Sequence, residues 1–183
     1  MPNDWNNNIA RNENLTKALH EIETVKTSFS VEVGTLLSPD GTIIKEWEGD
    51  DESVSIPPED YKNKRLWENN IYTHNHIIGL HFSADDIERF CELPLLELRV
   101  SVPSNDFFSI IKKNSFYSKL ADEMMRDKVG SFSKGIEFAI KQGVTFNNED
   151  FGDKLCKLRI EHTHNWFKNN ADKYNYIYEK GVL

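Results

Sequence analysis

Residues 71–90, IYTHNHIIGLHFSADDIERF, place a strand-like segment, a short loop and a helix start in direct succession. The run NIYTHNH, rich in β-branched and aromatic residues, predicts a strand. Ser83 followed by Asp86 is an S-x-x-D pattern, which predicts a helix from Ser83 to about residue 92. His74 and His76 are two residues apart at the end of the strand, so their side chains point to one face of the sheet. The stretch therefore predicts two imidazoles close to the first turn of a helix.

Five further segments are predicted before this stretch. Apolar residues recur at helical spacing in the predicted helix and alternate with polar residues in the first predicted strand. A proline-glycine turn joins that strand to its partner. The segments are a helix at 12–26, a strand at 29–33, a turn at 38–41 with its partner strand at 42–48, a short strand at 53–58 that ends at two prolines, and a short helix or loop at 59–70.

After the opening stretch, LLELRVSV at 95–102 predicts a further strand, which Pro103 ends. From residue 104 onward the sequence predicts a wholly helical region, interrupted at Asn114, Gly130 and Gly143. The expected fold class is therefore α+β. A mixed sheet with flanking helices occupies residues 12–103, and a helical C-terminal extension occupies residues 104–183.

The paired histidines predict a metal site. Zinc takes nitrogen and carboxylate ligands, and a catalytic zinc keeps one position open for water. Asp86, on the first turn of the following helix, could complete such a set with His74 and His76. The alternative is that Ser83 and Asp86 only cap the helix and the histidines are packed or exposed strand residues. His81 is either a loop residue or a pocket residue that contacts substrate.

The order of these residues resembles a known signature. Glu32, then His74-Asn75-His76, then Ser83-Ala84-Asp85-Asp86 is similar to the JAMM (MPN-plus) metalloprotease motif, in particular to RadC-like proteins and to JAMM-like domains of phage head-morphogenesis proteins. The resemblance covers about residues 12–103. It implies a JAMM-like, cytidine-deaminase-like mixed sheet with flanking helices.

The resemblance also implies a set of roles. His74, His76 and Asp86 would bind Zn²⁺, and Ser83 would stabilise the oxyanion of a tetrahedral intermediate. Glu32 would hold the attacking water and act as general base and acid. The reaction would be hydrolysis of a peptide or isopeptide bond, with a protein substrate such as one joined through a ubiquitin-like tail.

The glutamate of this set has rivals in the sequence. Glu32 alternates with the apolar residues of its predicted strand, so its side chain faces away from them. An ordinary solvent-facing glutamate would show the same pattern. Glu46 and Glu48, on the next predicted strand, are equally placed by sequence to serve as the base.

Composition limits the other classes of function. The 183 residues include 22 Lys and Arg against 30 Asp and Glu, a formal charge of −8, with no basic stripe, which argues against nucleic-acid binding. No apolar run reaches the ~18 residues of a membrane helix, so no membrane partner is expected. Cys91 and Cys156 are predicted to be reduced. Together with the absence of a signal-peptide pattern at residues 1–15, this favours the cytoplasm, or the host cytoplasm or virion for a viral protein.

Two other functions remain open at this stage. One is a non-catalytic JAMM-like structural or binding protein of phage origin, because Ile77 stands where the family has proline and the C-terminal helices could mediate oligomerisation. The other is an acidic inhibitor of a host enzyme, which rests on the negative charge alone. The His162-Thr163-His164 run is not expected to bind metal, because residues two apart on a helix point in different directions.

Overall fold

A six-stranded mixed sheet forms the centre of the fold in the computed structural model, which describes residues 11–78, 81–144 and 151–183. The strands are β1 (Val33–Leu37), β2 (Ile43–Glu48), β3 (Ile71–Asn75), β4 (Glu97–Ser101), β5 (Asp106–Lys112) and β6 (Tyr176–Val182). The helices are α1 (Glu13–Lys26), α2 (Pro58–Lys62), α3 (Lys64–Trp67), α4 (Ala84–Glu92), α5 (Leu120–Arg126), α6 (Phe132–Lys141) and α7 (Phe151–Tyr174). The α+β class is confirmed.

The spatial order of the strands is β2-β1-β3-β4-β5-β6. Only β3 and β4 are parallel, and every other neighbouring pair is antiparallel. A parallel pair requires a crossover connection, and α4 provides it between β3 and β4. This crossover carries the chain from the C-terminal end of β3, where the paired histidines lie, directly into the helix that begins with Ser83 and Asp86.

The two faces of the sheet differ in chemistry. One face carries the large apolar core, which includes Leu98, Phe108 and Ile110 and packs against α4, α5 and α7. The other face, under α1, carries a buried ionic network in which Arg99 donates to both carboxylate oxygens of Glu23 at 2.6 and 2.8 Å. Buried charges require such pairing, because an uncompensated ion in the interior is costly.

Lys26 belongs to the same buried layer. Its ammonium donates to the Thr35 hydroxyl at 2.5 Å, and only 3% of the residue is exposed. Burial lowers the pKa of Lys26 to about 7, although Glu46 and Glu23 act in the opposite direction. The face under α1 is therefore a polar, tightly paired layer, whereas the opposite face holds the apolar core and the candidate site.

Most predicted elements before residue 103 are present. The structure confirms the helix at 12–26, the turn and partner strand at 38–48, the short helices within 59–70, the strands around 71–76 and 95–102, and the helix from Ser83. Two expectations were wrong. Residues 53–57 do not form a strand, since prolines at 57 and 58 lack the N–H groups that a ladder needs. The first strand begins at Val33, because the backbone before it bonds to the Asn75 side chain.

The region from residue 104 is not wholly helical. The segment predicted as helical at 106–113 contains β5, and β6, which begins where the predicted last helix ends at Tyr176, pairs with β5. Residues 108–111 of β5 are buried on both faces of the sheet, so its apolar residues do not alternate, and periodicity alone does not separate the segment from a helix. The helices α5, α6 and α7 confirm the other predicted segments, with residues 147–150 lying outside the described part. No helix in the described ranges is long and apolar enough to cross a membrane.

Candidate metal centre

His74 and His76 lie at the C-terminal end of β3 in the middle of the sheet. His74 is opposite Gly34 of β1 and Val100 of β4, and the backbone N–H of His76 continues the ladder by donating to the Ser101 carbonyl at 2.9 Å. Both side chains therefore point to the same face, as predicted from their spacing. Their Nε2 atoms are 3.0 Å apart, and both residues are buried.

Asp86 joins the two histidines from the first turn of α4. Its Oδ1 lies 3.1 Å from the Nε2 of His74, and its Oδ2 lies 3.2 Å from the Nε2 of His76. Burial acts to raise the pKa of Asp86, but the two imidazoles outweigh it and hold that pKa well below its usual range. Burial likewise lowers the pKa of His74, against the opposing effect of Asp86. Asp86 and the imidazoles therefore favour each other's charged forms, against the effect of burial.

The same carboxylate also caps the helix. Asp86 Oδ2 accepts hydrogen bonds from the backbone N–H and the hydroxyl of Ser83, both at 2.7 Å, and Ser83 Oγ accepts from the Asp86 N–H at 3.1 Å. This is a reciprocal capping box. The sequence left open whether Ser83 and Asp86 serve as a cap or as part of a site. In the structure the cap holds Asp86 in the position where it meets the imidazoles.

Glu32 reaches the same point from the segment before β1. It is 7% exposed, and its side-chain oxygen and the imidazole nitrogens of His74 and His76 all lie within 4.8 Å of one another. These three residues could hold a metal ion. Burial raises the pKa of Glu32 to about 7, and the negative charge of Asp86 adds to the effect while His76 opposes it.

The rival glutamates lie elsewhere. Glu46 is exposed and its carboxylate accepts from the Thr35 hydroxyl at 2.9 Å, on the side of the sheet that carries Lys26. Glu48 is also exposed. Neither side chain lines the cavity that contains the histidines. Of the three glutamates, the structure places only Glu32 beside the imidazoles.

Asn75, the residue between the two histidines, fixes the backbone around Glu32. Its Oδ1 accepts from the N–H of Val33 at 2.7 Å, and its Nδ2 donates to the carbonyl of Val31 at 3.0 Å. The N–H of Glu32 itself donates to the Asp50 carbonyl at 2.7 Å. Sequence reasoning missed this residue. The available signal was a polar amide on the opposite face of a central strand, where a buried side chain must find partners.

The four side chains open into a cavity of about 560 Å³. Its remaining lining includes the loop after β2, the start of α4, and residues from the helices that follow β5: Asp51, Glu52, Ser53, Val54, Ile78, His81, Phe82, Ser83, Ala84, Asp85, Arg89, Met124, Val129, Gly130, Ser131, Arg159, Ile160 and Thr163. The C-terminal region thus contributes one wall of the candidate site.

His81 lines the cavity from the segment before α4, and both of its ring nitrogens have partners. Its Nδ1 accepts from the Phe82 N–H at 2.8 Å, and its Nε2 lies 2.8 Å from the hydroxyl of Tyr178, which also contacts His164 Nδ1 at 2.7 Å. Burial lowers the pKa of His81 well below its usual value. The ring is therefore neutral, and its predicted contact with substrate stays a prediction.

The second histidine pair does not converge. His164 turns towards β6, and His162 packs edge-on against Phe138 with ring centroids 5.6 Å apart. Residues two apart on α7 face different neighbours, as helical geometry requires.

No protein-family model matches this chain, and no curated protein matches its sequence. The site is defined by its own geometry: two imidazoles and two carboxylates converge from three separate segments in the lining of one cavity.

Proposed function

We propose that this protein is a zinc-dependent, JAMM-like hydrolase of a peptide or isopeptide bond. The observation that carries the proposal is the convergence of His74, His76 and Asp86, with Glu32 beside them, in the lining of one cavity. Each of these residues was selected by the order of the motif, and they arrive from β3, from α4 and from the segment before β1.

The donor set suits zinc. Two imidazole nitrogens and one carboxylate oxygen are ligands that zinc prefers, and a catalytic site uses three protein ligands. Ligand atoms ~2.0–2.1 Å from a tetrahedral zinc lie roughly 3.3 Å from one another. The Nε2 atoms of His74 and His76 are 3.0 Å apart, and each lies 3.1 or 3.2 Å from a different oxygen of Asp86, so each pairwise contact is close to this spacing.

The two imidazole Nε2 atoms lie close together. Each faces a different oxygen of Asp86, and they are 3.0 Å apart. If both donated N–H groups to the carboxylate, the two hydrogens would lie side by side. A cation shared by the two lone pairs would remove this crowding, which supports a metal site.

Zinc in this position would polarise the scissile carbonyl and lower the pKa of a water molecule to about 7. The residues of the chain supply the remaining steps. Glu32 would accept a proton from the attacking water and deliver it to the departing amine. Its pKa, raised by burial to about 7, suits both directions of transfer near neutral pH.

Ser83 would act on the developing negative charge of the carbonyl oxygen. It is exposed to the cavity, and its hydroxyl donates to Asp86 in the structure. To stabilise an oxyanion the hydroxyl would rotate from the carboxylate to the substrate. The Ser83 backbone N–H would still hold Asp86 at 2.7 Å, so this rotation would not release the ligand.

A second candidate is a non-catalytic binding protein with the same fold. It is favoured by the capping box, because Ser83 and the two histidines already give Asp86 hydrogen-bonding partners without an ion. In this case removal of metal would leave the protein and its interactions unchanged.

Metal content separates the two candidates. The protein would be purified without added metal and without a histidine tag, and analysed by mass spectrometry for bound metals. We expect about one zinc per chain, lost in His74→Ala and in Asp86→Ala but retained in the control His164→Ala, whose ring lies on α7. Glu32→Gln should keep the zinc and lose cleavage of peptide and isopeptide substrates. Folded wild-type protein without metal would overturn the hydrolase proposal.

A further inference from the structure

The cavity wall formed by the C-terminal helices is mainly apolar. Met124, Val129, Ile160 and Thr163 line it. Arg159 is the one cationic side chain that α7 adds to the wall among the described residues. A cation bordering an apolar surface next to a candidate catalytic centre suggests recognition of a substrate group of opposite charge.

Arg159 is held firmly in position. Its Nε and Nη2 both donate to the carbonyl of Gly130, at 2.9 and 2.7 Å. Its aliphatic part lies across Gly135 of α6, where an added Cβ would be 2.5 Å from the Arg159 Cγ. Glycine is therefore required at 135 for this packing, and the guanidinium loses little further freedom when it binds a ligand.

The guanidinium keeps most of its binding capacity. Two of its five N–H groups bond to Gly130, and within the described ranges no carboxylate forms an ion pair with Arg159. The other arginine of the C-terminal region, Arg126, differs because it is exposed and paired with Glu123. A preorganised, unpaired guanidinium is well suited to bidentate contact with a carboxylate.

The charges in the cavity lining differ between elements. The loop after β2 and the start of α4 contribute Asp51, Glu52 and Asp85, all exposed, and α4 also contributes Arg89. The described part of α7 adds Arg159 to the lining and no carboxylate, so an anionic group is favoured beside α7. The apolar residues lie on the same wall as Arg159, so a ligand is favoured when it presents an apolar side chain and a negative charge close together.

We propose that this cavity binds a substrate bearing a carboxylate next to an apolar side chain, and that Arg159 binds the carboxylate. The carboxylate could come from the free C terminus of a chain or from an acidic side chain, and both share this chemistry. As a statement about substrate the inference rests on the proposed hydrolase function. The binding itself does not, because Arg159 lies on α7 and the candidate metal ligands lie on β3 and α4.

The test measures binding to metal-stripped protein, so that no ion can hold the carboxylate. Calorimetry or NMR titration would compare N-acetyl-leucine with N-acetyl-leucinamide, which differ in the charged terminus alone. We expect the acid to bind roughly 10- to 100-fold more tightly, the range for a charge-assisted contact. N-acetyl-glycine tests the apolar wall and should bind more weakly than N-acetyl-leucine.

Variants assign the effect to Arg159. Arg159→Gln should abolish the preference for the acid, and Arg159→Lys should reduce it while keeping the charge. The control Arg126→Gln should leave it unchanged. Arg89→Gln, which alters the other arginine of the lining, should also retain it. N-acetyl-aspartate α-amide distinguishes the two sources, since preferential binding of this ligand would assign the carboxylate to an acidic side chain.

Equal affinity for acid and amide, or an undiminished preference in folded Arg159→Gln and Arg159→Lys, would overturn the inference. Its failure can be told from failure of the proposed function. Absence of zinc together with Arg159-dependent acid binding would reject the hydrolase and keep the carboxylate site. Bound zinc and cleavage without a preference for the acid would keep the hydrolase and reject the carboxylate site.

Discussion

Replacing Asn75 by alanine tests how the site is positioned. The Asn75 side chain forms two hydrogen bonds, one to the Val33 N–H and one to the Val31 carbonyl, and it is 1% exposed. In Asn75→Ala both backbone groups lose their partner. A buried polar group left unsatisfied costs about 1–3 kcal/mol, so the two together should lower the free energy of unfolding by roughly 2–4 kcal/mol.

The effect on catalysis should be larger than the effect on metal binding. Glu32 lies between the two backbone groups that Asn75 holds, whereas His74, His76 and Asp86 are fixed by β3 and by the helix cap. Zinc should therefore stay bound in Asn75→Ala. Displacement of a reacting group by about 1 Å can reduce the rate ~100-fold, and we expect a loss of this size in the cleavage rate.

Urea denaturation, metal analysis and cleavage kinetics would be measured on the same preparations. Asn70→Ala is a matched control, because Asn70 forms one side-chain bond, to the Leu66 carbonyl at 2.8 Å, away from the cavity. It should cost about 1 kcal/mol and leave the rate unchanged. The reasoning is refuted if Asn75→Ala is no less stable than Asn70→Ala, or if its activity falls only in proportion to its zinc content.

Three further predictions concern stability. Burial lowers the pKa of Lys26 from 10.5 to about 7, so between these pH values the unfolded chain binds a proton that the folded chain has released. The free energy of unfolding should therefore rise with pH from about 7 towards 10. Urea titrations should show a smaller rise in Lys26→Met. Ser83→Ala and the control Asn12→Ala, which removes the cap of α1 away from the cavity, should each lose about 1 kcal/mol in thermal unfolding, whereas only Ser83→Ala should slow cleavage; equal rates would exclude the oxyanion role. Trp67→Ala should lower the free energy of unfolding by about 3–5 kcal/mol in urea, because the side chain is fully buried and stacked on Trp47, and a loss below 1 kcal/mol would contradict this packing.

The sequence was informative where one local rule determined the structure. The Ser83–Asp86 pattern predicted the start of α4, and the proline and glycine of the turn at 38–41 predicted the antiparallel β1–β2 pair. It misled at β5, since residues buried on both faces of a sheet do not alternate. The start of β1 was misplaced for another reason: a side chain 42 residues away in sequence, Asn75, takes the hydrogen bonds that a strand would use.

The candidate site also combines residues that a local rule could predict with residues that depend on distant contacts. Two residues apart on a strand, His74 and His76 share a face by geometry, so sequence alone could place them together. The choice of Glu32 over Glu46 depends on which face of the sheet each reaches, and that follows from packing. Arg159 could not be found from sequence, because its position depends on Gly130 and on the path of α7 across the cavity.

Asp86 shows why helix cap and metal ligand need not be alternatives. A buried carboxylate must be held by donors, and Ser83 supplies two while the imidazoles lie on its other side. The cap therefore does for Asp86 what outer hydrogen bonds do for ligands in metal sites, fixing its orientation before an ion arrives. If so, Ser83→Ala should weaken zinc binding as well as α4, by the 10- to 100-fold typical of such supporting contacts, as a competition with a fluorescent zinc chelator would show. Loss of helix stability with unchanged zinc affinity would mean that the cap and the site only happen to share a residue.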